Sequence, residues 1–297
     1  MEYFYLKLGA GNEEADVRLS KSQPDAAVFF DDCSQADYEA GRGKAQARLF
    51  CERGKKDNRE KTIMIVIRRG QIWFLKPAGE VQFSAPYDHP SGVRLTSKTM
   101  PVEILKRSWC KDVPPVLAGA GSSQYHGRRT FTKIEHWGNL KAIDCVLGRP
   151  VGNASKEQHW DPKSQRSAQL LECLGSTELE TLVGKLFEAH GCHVPAYLGG
   201  TLSDIDIFAH NDTNSPITIG QINIAPRERI SIQVKTWSGL TCPEAVDYLI
   251  GLDAVPGPTT FDADWLLARV KECASVLGWM KRSLSWLPSE FHQKFDL

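Results

Sequence analysis

The chain has 297 residues, 41% of them hydrophobic and 24% charged, which is long enough for two domains that each bury a core. Those fractions exclude a disordered or collagen-like polypeptide, and no apolar run approaches the roughly 18–20 residues needed to span a bilayer. Net charge is zero, yet residues 1–150 carry 24 Lys+Arg against 18 Asp+Glu, while residues 151–297 carry 12 against 18. A mildly basic half joined to an acidic half suits a nucleic-acid reader coupled to carboxylate chemistry, and it equally suits ordinary scatter between two domains.

The opening MEYFYLKLGAG lacks the basic end and apolar stretch of a signal peptide. Eight cysteines are scattered without a CxxC, as in a chain that keeps its thiols reduced. Both features predict a cytoplasmic protein without membrane association. The N-x-S/T sequons at Asn153 and Asn211 then carry no meaning.

Residues 1–137 read as a β-rich domain. Segments 2–8, 62–68, 71–75 and 129–134 are short, rich in β-branched and aromatic residues, and bounded by Gly or Pro. Arg69-Gly70 sits between two of them as a tight turn. The polar stretch 32–60 is open to either a helix or a loop. Residues 138–170, poor in apolar side chains in their larger part, are expected to link this domain to a second one at 171–297.

In the second domain, Leu179, Leu182, Val183, Leu186 and Phe187 recur at helical spacing over 177–190, and Gly191 ends the run. Strands are expected at 192–198, 204–209 and 229–236, with ITIGQINI (217–224) as a further short one. Helices are expected at 243–251 and 262–285. The order of elements predicts an α/β (α+β) fold with a sheet flanked by helices.

Residues two apart in a strand share a face, so Asp204 pairs with Asp206, and Gln233 with Lys235. If the two strands are neighbours, carboxylates, an amide oxygen and an ammonium meet at one sheet edge. Unpaired buried charge is costly, and a divalent cation is the natural compensation. Hard oxygen ligands point to Mg²⁺ or Mn²⁺. Phosphodiester hydrolysis uses such a set: a metal against developing negative charge, a positioned water and a nearby cation. Asp206 would bind the metal, with Gln233 and the Val234 carbonyl assisting and Asp204 as a possible helper. Lys235 would orient the water, and Glu180 on the preceding helix could reach the metal through a second water.

This ordered set resembles the Mrr-like branch of the PD-(D/E)XK restriction endonucleases over about residues 177–237. Glu180, Leu182, Val183, Leu186, Phe187 and Gly191 fill the places of that branch's helix. Ile205-Asp206-Ile207 matches its Asp strand, and Gln233-Val234-Lys235 its Q-x-K strand. The chain departs from the pattern at Leu202-Ser203-Asp204, where the family often has glycines, and after Trp237. The resemblance implies the restriction-endonuclease core with a mixed sheet, divalent-metal dependence and duplex DNA as substrate.

The first domain loosely resembles EVE and other PUA-like β-barrels, through YFYLKLGAG, the strand pair around Arg69-Gly70, Pro101-Val102-Glu103-Ile104 and Arg129–Ile134. Such domains are thought to recognise modified bases, which implies Trp73, Tyr87, Trp109 and Tyr125 as stacking candidates and Arg128 and Arg129 as phosphate contacts. Each aromatic is otherwise a core residue. GRGK at 41–44 lacks the spacing of a P-loop, and no Ser nucleophile elbow or zinc-spaced Cys/His set occurs.

The expected function is a DNA endonuclease of restriction or phage defence, homodimeric at least on DNA because cutting a duplex needs two sites. An inactive nuclease fold that reads nucleic acid, and an RNA-directed nuclease, are the alternatives.

Overall fold

A computed structural model describes residues 1–9, 12–29, 33–84, 87–88, 94–120, 130–149, 167–195, 205–236 and 242–294. The chain divides into two compact units, Met1–His159 and Trp160–Leu297. Among the described residues no helix is long and apolar enough to cross a membrane. All eight cysteines are free.

In the first unit the strands are β1 (Glu2–Leu6), β2 (Asp25–Phe29), β3 (Thr62–Arg68), β4 (Gln71–Pro77), β5 (Gln82–Phe83), β6 (Tyr87–Asp88), β7 (Arg94–Leu95), β8 (Ser97–Trp109) and β9 (Phe131–Lys133). The main sheet runs β2-β8-β4-β3-β1-β9, with β5 alongside β8. Only β1 and β3 pair parallel; the other neighbours are antiparallel. Arg69 and Gly70 join β3 to β4 with φ of +47° and +73°, the two left-handed residues a type I′ hairpin turn requires.

Alternation sets the two faces of this sheet. Phe4, Leu6, Met64, Val66, Trp73 and Leu75 line one face, packed with Ala15, Leu19 and Phe50 from helices Ala15–Leu19 and Ala45–Arg53. Phe131 stacks on Phe4 at 4.9 Å and meets Phe50 edge-on at 5.4 Å. Tyr3, Tyr5, Ile63, Ile65 and Phe74 on the other face are also buried. There the Tyr3 hydroxyl donates to Asp144 on helix Trp137–Val146. The described part of the ambiguous stretch 32–60 holds the helices Gln35–Glu39, Ala45–Arg53 and Lys56–Arg59.

The expected linker is narrower than 138–170. Trp137–Val146 is a helix with seven buried residues, and Ser167–Leu171 is another. Apolar Ala142 and Ile143 hold the former in a core, a signal that averaging over a long polar window hid.

In the second unit, helix Ser176–Ala189 packs against β10 (Ile207–His210) and β13 (Arg229–Lys235). Between those strands β11 (Ile217–Ile219) and β12 (Ile222–Ile224) form a separate hairpin. β14 (Tyr248–Gly251) and β15 (Thr260–Phe261) complete a four-stranded sheet of order β10-β13-β14-β15. β10 and β13 are antiparallel, whereas β13/β14 and β14/β15 are parallel. The α/β (α+β) class with a mixed sheet flanked by helices holds.

Three details differ from the sequence reading. Residues 248–251 form a strand where a helix was expected, because Tyr248-Leu-Ile-Gly is an apolar run buried beside β13. Residues 192–195 contribute one isolated bridge, His193 to His210, in place of a full strand. The long helix over 262–285 is two, Ala263–Glu272 and Ala274–Ser283, broken at Cys273, whose φ/ψ of −113°/98° is extended.

Candidate functional site

Helix Ser176–Ala189 starts from Gly175, whose N–H donates to the Glu178 carboxylate at 3.2 Å and so satisfies one orphan amide of the first turn. Leu179, Leu182, Val183, Leu186 and Phe187 are fully buried. With that stripe fixed against the sheet, Glu180 falls at its margin and is partly buried.

Asp206 immediately precedes β10. Its N–H donates to the Ile232 carbonyl at 3.0 Å, which extends the β10/β13 ladder and sets Asp206 across from Gln233. Asp206 Oδ2 accepts the Val234 N–H at 2.7 Å and the Lys235 ammonium at 3.3 Å. Asp206 and Gln233 are each 5% exposed, and the Lys235 side chain is 18% exposed. The β13 alternation does the sorting: Ile230, Ile232 and Val234 face the core, while Gln233 and Lys235 share the polar face.

Glu180 closes the set from the helix side. Burial first, and then the charge of Asp206, push its carboxyl up to about 7 from the ordinary 4.5, against an opposing pull from Lys235. The helix, the residue before β10 and β13 thus place Glu180, Asp206, Gln233 and Lys235 near one another. Asp204 lies outside the described residues. Val234 reaches Asp206 through its N–H, a contact that the sequence reading, which assigned it a carbonyl role, did not foresee.

Glu180 and Asp206 are close enough for the charge of one to act on the other, in a partly desolvated place. Asp206 Oδ2 accepts from Val234 and Lys235, and Gln233 lies buried across from Asp206 on β13. Carboxylate oxygens and an amide oxygen are the donors a hard cation takes. Among the described residues no group of three or more His, Cys, Asp or Glu side chains is placed to hold a metal.

Of the nucleic-acid candidates of the first unit, the side chains of Trp73 and Trp109 are described. Trp73 is a core residue, 3% exposed, because its place on β4 turns it toward Val66 and Leu75 and the Arg107 guanidinium lies over its ring at 5.3 Å. It has no open face for a base. Trp109 is 49% exposed at the end of β8. Tyr87 lies on β6, its side chain outside the described residues, as are Tyr125, Arg128 and Arg129.

Compared with family models, curated proteins and solved structures, the chain matches none.

Proposed function

We propose that the second unit is a Mg²⁺- or Mn²⁺-dependent nuclease that hydrolyses DNA phosphodiester bonds, and that the first unit serves target recognition. The observation that carries this reading is the meeting of Glu180 and Asp206 beside the Lys235 ammonium, with the buried Gln233 amide on the same strand face as Lys235. The resemblance of residues 177–237 to Mrr-like restriction endonucleases agrees with it.

Asp206 and the Gln233 side-chain oxygen would hold the metal, with Glu180 reaching it directly or through water. The bound metal supplies Lewis-acid stabilisation of charge that builds on the phosphate oxygens. Lys235 orients a water for in-line attack, and its positive charge opposes the negative charge gathering at phosphorus. The Val234 N–H fixes the Asp206 carboxylate, so that no reorganisation is needed when substrate arrives. Restriction or phage defence is the setting this chemistry fits, with two copies of the chain acting on the two strands of a duplex.

The test is cleavage of plasmid and of modified and unmodified phage DNA by purified protein with Mg²⁺ or Mn²⁺. Asp206→Ala and Lys235→Ala are expected to abolish cutting while keeping a cooperative thermal transition. Equal cleavage by wild type and both variants overturns the assignment. DNA binding that survives chelation, with no cleavage under either metal, identifies a reader on an inactive nuclease fold, and selective RNA cleavage an RNA-directed enzyme.

A further inference from the structure

At the β3–β4 end of the first sheet, pairing brings basic and aromatic side chains to one face. Arg68 pairs with Gln71 and Gln71 with Trp109, while two residues inward Trp73 pairs with Arg107. Arg68, Gln71, Arg107 and Trp109 therefore share a face, continuous with the buried one that carries Val66 and Trp73. The Cys110 N–H donates to the Gly70 carbonyl at 2.7 Å and pins the end of β8 to the Arg69-Gly70 turn.

Trp109 is 49% exposed and the only aromatic among the exposed large hydrophobic residues described. Arg107 is held beside it: its Nε donates to Gln71 Oε1 at 3.0 Å while its guanidinium covers Trp73. Arg107 and Lys111 are exposed and have no carboxylate partner among the described residues. Arg68 and the 77%-exposed Arg69 both reach the Asp16 carboxylate, at 3.1 and 3.7 Å. Arg69, Arg107 and Lys111 are thus exposed cations at the strand ends that carry the open indole. An indole left in water beside a fixed guanidinium and further exposed cations matches the chemistry of an unpaired base with its phosphates.

We infer that this end of the sheet binds single-stranded DNA, a base stacking on Trp109 while Arg107, Arg69 and Lys111 contact the flanking phosphates. The choice of DNA rests on the proposed substrate; the stacking surface itself does not depend on cleavage. A platform open at a sheet end admits a displaced or flipped strand, whereas an intact duplex offers it phosphates alone.

The experiment measures fluorescence anisotropy of labelled single-stranded, duplex and RNA oligonucleotides with the full-length Asp206→Ala chain in EDTA, so that no strand is cut. Trp109→Ala in that background is expected to weaken single-strand DNA binding about ten-fold, leaving duplex binding within two-fold. Trp109→Phe retains most of the single-strand affinity, which separates lost stacking from a folding defect. Arg107→Gln lowers the slope of log affinity against log salt by about one. Unchanged single-strand affinity in Trp109→Ala overturns the proposal, as does binding of RNA alone. Failure of the nuclease reading appears in the separate cleavage assay and leaves this result intact.

Discussion

The Lys235 ammonium lies 3.3 Å from Asp206 Oδ2, in a place where the aspartate side chain is 7% and the lysine side chain 18% exposed. Removing one partner from such a pair leaves the other charge buried. Lys235→Met is expected to lower stability by about 2 kcal/mol, below the cost of a fully buried pair because the lysine is partly solvated. Differential scanning calorimetry in EDTA reads this. Cleavage should fall at least about a hundred-fold, as expected for loss of a preorganised cation.

Glu180 makes the metal-free protein sensitive to pH. Its folded-state carboxyl is raised to about 7, above its unfolded value near 4.5. Between those values the folded chain holds the extra proton, so stability falls as pH rises through the window and then levels off. The expected loss is on the order of 1–2 kcal/mol after discounting the shift for solvent screening of a half-buried side chain. Thermal midpoints in EDTA from pH 4.5 to 8 should show that slope, and Glu180→Gln should flatten it. An identical slope in the variant would remove Glu180 as its source.

Gln233 places an amide, in place of a carboxylate, across from Asp206 in the proposed metal site. Gln233→Glu places a third carboxylate beside Glu180 and Asp206, which should lower the metal-free melting temperature by several degrees and tighten Mn²⁺ binding about ten-fold. Calorimetric titration and melting in EDTA read the two opposite effects. A variant that melts lower without binding metal more tightly would count against Gln233 as a ligand.

Asn211 is fully buried, and its amide Nδ2 donates to the carbonyls of Ser215, Ile224 and Ala225 at 2.8–3.1 Å. Its Oδ1 accepts from the Thr213 N–H and hydroxyl. One side chain thus ties the end of β10 to the β11–β12 hairpin. Asn211→Asp turns a carboxylate toward three carbonyl oxygens and should cost about 3 kcal/mol or more, measured by urea denaturation. The Asn211 sequon is accordingly a folding device, and expression in a glycosylating host should leave this asparagine unmodified in folded protein.

Much of the second unit was legible because its signals are local. The Leu179–Phe187 stripe fixes a helix, and Gln233 and Lys235 alternate with Ile232 and Val234 on a strand, so the polar set followed once the strands paired. The strand at 248–251 was missed because a four-residue apolar run has no period of its own; pairing with β13 decides it. The Val234 N–H contact to Asp206 depends on register across 28 residues of chain, which no local pattern encodes. In the first unit, Trp73 and Trp109 look alike in sequence, and only their places along β4 and β8 make one core and the other open.

The Val234 amide donates to a side chain rather than to a neighbouring strand. Its proton therefore reports on the ionisation and ligation of Asp206 directly. In a nitrogen–proton correlation spectrum that single resonance should move on titration with a diamagnetic divalent ion, and its hydrogen exchange should slow as the carboxylate is locked. A backbone signal thereby becomes a gauge of occupancy at the site, readable without any substrate.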